Sequence, residues 1–223
     1  MNDAKELVKK IRMDLRPLDE KILGHPYIMT LNEGKLPQDS LKTFTGQQYH
    51  IITSDLRSIA GLLSRYGQLP SCPWLIAVLQ GEAAALEALF TLAKKLSMSE
   101  SDLKTFEPIP SAQAYCTYVA WLGIYGSDGE LAGAFLVNFA AWGANCAKIS
   151  KALQDHYGLT KEDVAFFELF SQMPPSEKQV LEVIQGALDR GVEPALIHRA
   201  ARMLQAYELM FWDAMAEAAS MHF

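Results

Sequence analysis

Between one Gly or Pro break and the next, the apolar residues of this chain recur at helical spacing, and no stretch alternates with period two for long enough to make a strand. Side chains three or four apart share a helix face, whereas strand neighbours on one face sit two apart. The pattern restricts the chain to an all-α fold. Residues 5–23 carry Leu7, Val8, Ile11, Leu15, Leu18 and Ile22 at this spacing, with Pro17 placed to kink or split the helix. Gly24-His25-Pro26 breaks the run, and Gly34 and Pro37 mark a loop. Asp39 or Ser40 caps a helix predicted to reach about Tyr66, and Pro73 suits the first turn of another that continues to about Met98. Ser99 with Asp102 starts a short helix. Further helices are predicted over about 111–125, from a Ser127/Glu130 capping box to about Tyr157, and from Thr160/Asp163 to about Met173. Pro174-Pro175-Ser176 separates the last of these from a helix to about Arg190, and Gly191 and Pro194 precede the final one. Eight to ten helices result. No composition shift, flexible linker or internal repeat divides the 223 residues, so the expectation is a single-domain helical bundle over 1–223.

Charge and cysteine usage exclude several classes. The formal net charge is −6 and no Lys/Arg cluster stands ready to meet phosphates, which argues against nucleic acid and against an anionic membrane surface. No basic segment followed by an apolar one marks a secretory signal, and no uninterrupted apolar run reaches the roughly 18 residues of a membrane span. A cytoplasmic protein with no membrane or nucleic-acid partner is the expectation. Cys72, Cys116 and Cys146 are odd in number and scattered without a CxxC, so neither a disulfide framework nor a zinc site is indicated.

The informative residues are polar ones that fall on apolar helix faces. The stretch MLQAYELMFWDAMAEAA, from Met203 to Ala219, is nearly continuous in apolar and aromatic residues. At about 100° per residue, Ile197, Tyr207, Phe211, Met215 and Ala218 share one arc, and Arg199, Arg202, Asp213 and Glu217 lie opposite. Glu208 falls inside the apolar arc beside Trp212, where a carboxylate is costly unless bonded, paired or neutral. The same projection puts Gln48 and Asp55 on the apolar face that contains Phe44, and Glu82 on that of the helix from Pro73. It puts Tyr115 among Tyr118, Val119 and Leu122, and Asn138 and Asn145 one turn either side of Trp142. Five helices thus aim polar groups inward. Either each is a core residue with its own local partner, or all face one cavity with aromatic walls, the usual form of a small-molecule site.

General acid/base work by Glu208 is the chemistry this pattern favours, since desolvation raises a carboxyl pKa toward neutrality. Cys116 and Cys146 read as small buried apolar residues rather than nucleophiles. Asp55, Glu82 and Glu208 are carboxylates of the kind a di-metal bundle uses, but no Glu-x-x-His occurs and only His156 of the five histidines projects inward. No metal and no cofactor are expected.

Four segments carry a resemblance: HPYIMTLNEGKLPQDSLKTFTGQQYH at 25–50, AYCTYVAWL at 114–122, AFLVNFAAWG at 134–143 and YELMFWDAMA at 207–216. In this order they resemble the TenA family, the thiaminase-II-like branch of the heme-oxygenase-like helical bundles, over nearly the whole chain. The resemblance implies a bundle pocket for thiamin or an aminopyrimidine, with a Cys that attacks the pyrimidine-bearing carbon and a Glu that serves as acid/base. By position the Glu is Glu208 and one ring-holding Tyr is Tyr115. The Cys position is Asn138, with Val137 in place of the preceding Pro. The Asp position is Gln48, and two further Tyr positions are Ile51 and Phe170. Asn138 is not a nucleophile, so hydrolysis without a covalent adduct is what the resemblance leaves. The expected ligand set is Phe44, Gln48, Asp55, Glu82, Tyr115, Asn138, Trp142, Asn145, Phe170 and Trp212 around Glu208. A heme-oxygenase-like oxidase, with a di-metal site or without cofactor like pyrroloquinoline-quinone synthase, and a non-catalytic ligand-binding protein are the alternatives. The resemblance also implies a homo-oligomer.

Overall fold

The computed structural model describes residues 3–68, 70–172 and 176–220. Among these the chain is helical with no strand. The helices are α1 (Ala4–Leu23), α2 (Pro26–Asn32), α3 (Asp39–Arg65), α4 (Ser71–Lys95), α5 (Glu100–Lys104), α6 (Pro110–Tyr125), α7 (Asp128–Tyr157), α8 (Ala165–Gln172), α9 (Glu177–Asp189) and α10 (Pro194–Ser220). The all-α bundle expected from periodicity is the fold observed. The predicted boundary at Met173, Pro174 and Pro175 lies outside the described residues.

Most local signals act as read. Ser99 and Asp102, and Ser127 and Glu130, make reciprocal capping boxes at α5 and α7, so two otherwise orphaned N–H groups are satisfied at each start. Thr160 and Asp163 exchange the same bonds, but four residues of turn follow and α8 begins only at Ala165. Other expectations are corrected. α1 runs unbroken through Pro17. Neither Asp39 nor Ser40 caps α3; both lie in its first turn behind Gln38, which makes no side-chain cap bond. Pro73 does lie in the first turn of α4, as expected, while the helix ends at Lys95 rather than near Met98. No helix is predicted between the break at Gly24-His25-Pro26 and the loop at Gly34, yet α2 forms there; His25 caps it by accepting the Tyr27 N–H, and Pro26 supplies a first position that needs no donor.

α7 is the central element. It packs on α8, α9, α10 and α2, and is buried nearly all round along its first half. Gly133 allows α10 close: a Cβ there would lie 2.5 Å from the Ile197 side chain. α3 packs between α4 and α6, and α10 spans α1, α6 and α7. Buried polar ties lock this order. Asp128 accepts the Arg190 guanidinium at 2.6 Å and the Ser71 hydroxyl, joining the starts of α4 and α7 to the end of α9.

Asn145 was grouped with the ligand set, yet its amide donates 3.1 Å to the Ile22 carbonyl while Lys148 donates 2.7 Å to that of Leu23. It therefore satisfies the C-terminal end of α1, whose last carbonyls have no partner within the helix. His156, read as inward, is exposed, whereas His25 is buried and shares a hydrogen bond of 3.1 Å with Asp213. α4 is the one described helix whose length and mean hydropathy, 1.5 over 18 residues, suit a membrane crossing; Glu82 interrupts its apolar run. Here α4 lies along α3 and α8.

Candidate active site

The inward stripes converge. α3 contributes Gln48, Ile51, Ile52 and Asp55, the i, i+3, i+4 and i+7 positions of one face. α7 contributes Asn138, Phe139 and Trp142, and α10 contributes Glu208 and Phe211. Glu82 of α4, Tyr115 of α6 and Phe170 of α8 complete the wall of a cavity with about 40 Å³ open to the centre of a water molecule. That is room for water, since a single one needs about 10–15 Å³ by the same measure. Glu82, Phe139 and Phe170 also line an outer cleft of about 290 Å³ between α4 and the α8–α9 region. These three side chains are therefore the partition between the cavity and the surface.

Glu208 is held on both oxygens. Trp212, one turn further along α10, donates its indole N–H to Oε1 at 3.2 Å. The Asn138 amide donates to Oε2 and also, at 2.9 Å, to the Gln205 side-chain carbonyl. The Tyr115 hydroxyl donates to Asn138 Oδ1 at 3.0 Å. Gln205 in turn donates its amide to the half-buried Asp19 of α1. The amide directions are fixed by chemistry: flipping Asn138 would set its oxygen against both the Glu208 carboxyl and the Gln205 carbonyl. Both protons and the oxygen of Asn138 are thereby used, so this one residue joins α6, α7 and α10, and Gln205 extends the chain of bonds to α1.

Burial sets the charge state of these groups. It pushes the Glu208 carboxyl up to about 8; the bonds from Trp212 and Asn138 oppose the rise and the charge of Asp19 adds to it. Burial likewise raises Glu82 to about 7, and it raises Asp55 well above the ordinary carboxylate range, with the neighbouring Glu82 charge adding to the effect. Tyr115 is raised by burial and then by the charges of Asp55, Glu208 and Glu82, so its phenol stays protonated and donates. The thiols are silent: burial raises Cys116 to about 12 and raises Cys146 well above its usual value.

Of the expected ligand set, Gln48, Asp55, Glu82, Tyr115, Asn138, Trp142 and Phe170 line the cavity with Glu208. Phe44 and Trp212 form the layer behind. The Phe44 ring lies stacked 6.3 Å from Trp142 and 6.2 Å from Trp212. Asn145 is directed away, to α1. Sequence reasoning passed over Gln205, which the structure buries fully three residues before Glu208. It also passed over Phe139, which follows Asn138 directly.

A sequence profile of the TENA/THI-4/PQQC family matches residues 12–218, almost the full length. The chain belongs to this family. No curated protein matches it. Among solved structures it is similar to the TenA homologue of P. horikoshii, at 20% identity and TM-score 0.74 over 95% of this chain and 98% of that one. It is similar to a putative TenA-like thiaminase of Sulfolobus solfataricus, at 16% identity and TM-score 0.72 over 95% and 96%. It is also similar to a Synechocystis heme oxygenase in complex with heme, at 14% identity and TM-score 0.68 over 96% and 92%. The fold is thus heme-oxygenase-like. Within the family, this chain has at its centre an amide bonded to a carboxyl, Asn138 to Glu208, and no thiol on the cavity wall.

Proposed function

We propose that the protein binds a small aromatic nitrogen heterocycle, of the thiamin or aminopyrimidine kind, in this cavity, and that Glu208 acts on it as acid/base in a hydrolysis without a protein nucleophile. The observation that carries the reading is Glu208 itself. It is a buried carboxyl on the cavity wall, clasped on both oxygens and raised to about 8, so both protonation states are within reach near neutral pH. Trp142, Phe139, Phe170 and Phe211 offer ring faces and edges to a planar ligand. In this scheme the ionised Glu208 takes a proton from water as the water oxygen bonds to the ring-borne carbon. The carbon–nitrogen bond breaks in the same displacement, and Glu208 returns the proton to a departing amine; a departing thiazolium leaves as the neutral thiazole and the proton passes to solvent. The names of the relatives, a TenA homologue and a putative TenA-like thiaminase, support the ligand class.

The test is calorimetric titration with thiamin and with 4-amino-5-aminomethyl-2-methylpyrimidine, paired with a turnover assay on the same protein. Binding, with turnover lost in Glu208→Gln while affinity persists, is the expected result. Failure of both ligands to bind, or turnover that survives Glu208→Gln, overturns the reading.

A further inference from the structure

The cavity holds a second acidic group that the acid/base reading of Glu208 does not use. Asp55 on α3 and Glu82 on α4 are 3% and 6% exposed, and both line the cavity. Asp55 Oδ1 is fully buried and has no hydrogen-bond partner among the described residues. Buried polar atoms in folded proteins are nearly always bonded, and the neighbouring carboxyl of Glu82 brings a like charge rather than a cation. No Lys, Arg or His lines the cavity among the described residues; the two arginines of α3, Arg57 and Arg65, are exposed, and Arg65 donates to the carbonyls of Leu122, Gly123 and Gly126. Two carboxyls thus face one cavity without a positive partner among the described residues.

We propose that Asp55 and Glu82 form a subsite for an organic cation, an amidinium or ammonium group carried on the planar ring that the cavity binds. The proposal deepens the ligand reading above and rests on the cavity being a ligand site. Two carboxyls side by side match the paired N–H donors of an amidinium, and charge-assisted bonds of this kind are the strong ones. The rest of the wall suits an organic ion and not a bare metal. Trp142 and Phe139 present aromatic surfaces that attract a cation, while a hard divalent ion needs about six oxygen ligands. Among the described residues no group of three or more His, Cys, Asp and Glu is placed to hold a metal. Glu82 also lines the outer cleft, so a cation arriving from the surface meets Glu82 first and Asp55 behind it.

Burial raises both carboxyls, Glu82 to about 7, and the Glu82 charge raises Asp55 further, so without a cation the pair retains a proton near neutral pH. The other titratable groups on the cavity wall are Tyr115 of α6 and Glu208 of α10, and Cys116, behind the wall on α6, feels the charge of Asp55. Burial keeps the phenol and the thiol protonated, so the proton that a cation displaces comes from the carboxyls.

The experiment uses benzamidinium and its neutral near-isostere benzamide as probes on the intact protein, by titration calorimetry at pH 7 in two buffers of different ionisation enthalpy. Benzamidinium is expected to bind at least about ten-fold tighter than benzamide and to release roughly one proton. Asp55→Asn or Glu82→Gln is expected to erase the preference while benzamide affinity stays within about two-fold. Should one variant fail to fold, the other supplies the comparison, and proton release needs neither. Equal affinities for the two probes sink the cation subsite and leave the ligand reading standing. Loss of binding by both probes sinks both. A preference for Mn²⁺ over benzamidinium at the pair, or an affinity for benzamidinium unchanged in both variants, also overturns it.

Discussion

Asn138 holds Glu208 across the contact of α7 and α10, and the same amide accepts the Tyr115 hydroxyl and donates to Gln205. An isosteric apolar residue at 138 would strand three buried polar groups together. Asn138→Leu is therefore expected to lower stability by about 2–5 kcal/mol, since each unsatisfied buried group costs roughly 1–3 kcal/mol and the groups partly relax toward one another. Chemical denaturation followed by circular dichroism measures this. A loss below about 1 kcal/mol would mean that water replaces the clasp.

Glu208 also gives the fold a pH dependence with a definite sign. Its carboxyl sits at 4.5 when unfolded and at about 8 in the native state, so the native chain binds more protons between these values. Stability is then full below about pH 4.5 as far as this group is concerned, and declines as pH rises toward 8 and beyond. Asp55 and Glu82, raised in the same direction, add to the decline. Glu208→Gln is expected to flatten the melting temperature between pH 6 and 9 and to stabilise the protein at the alkaline end by a few kcal/mol, on the order of what an excluded buried charge costs. Melting curves across that range, with the variant beside the parent, decide it; a parent whose melting temperature climbs with pH contradicts the buried-acid description.

The fold was legible because a helix declares itself every three to four residues and this chain has Gly, Pro and Ser/Thr–acid caps at most breaks. α2 escaped because seven residues starting at a His cap and a Pro carry too little period. The site was half legible. Angular projection tells which side chains point inward, and it singled out Glu208, Asn138, Tyr115, Asp55 and Glu82. It does not tell how far along a helix the cavity extends. Asn138 and Asn145 share one stripe of α7, about 10 Å apart along its axis, yet one meets Glu208 and the other closes the end of α1. Gln205 was invisible for a related reason: its partners are Asn138 and Asp19, and Asp19 lies 186 residues away in sequence. The approach of Glu82 to Asp55 is likewise a product of how α4 lies on α3, not of either helix alone.

Close packing of α7 on α8 places Phe170 in the wall, and glycine permits it. A Cβ at Gly143 would stand 2.8 Å from the Phe170 carbonyl oxygen, a backbone atom that cannot swing aside. Gly143→Ala is expected to cost about 1–3 kcal/mol by overpacking and to shift the Phe170 ring off the cavity. Gly61, on the exposed side of α3 with nothing within 4 Å of a Cβ, is the control. Gly61→Ala is expected to stabilise by about 0.5–1 kcal/mol through helix propensity. Thermal melts of the pair give opposite signs if the contact matters as described.

Phe170 and Phe139 separate cavity from cleft, so they set the rate at which anything reaches Trp142. The Phe170 ring stands edge-on to Trp142 at 5.7 Å between centroids, and both phenylalanines line both spaces. The inner space of about 40 Å³ and the cleft of about 290 Å³ lie on either side of these two rings, and their outward displacement joins the two volumes. Truncating either side chain should open that path permanently. Phe170→Ala and Phe139→Ala are each expected to raise the acrylamide quenching constant of a protein whose only tryptophan is Trp142, by about two-fold or more, with Trp74, Trp121 and Trp212 replaced by Phe. Ligand association should quicken in the same variants while affinity falls through lost ring contact, about 0.5–1.5 kcal/mol for each aromatic partner removed. Stopped-flow fluorescence separates the two effects. An unchanged association rate in both variants would place the route to Glu208 elsewhere in the bundle.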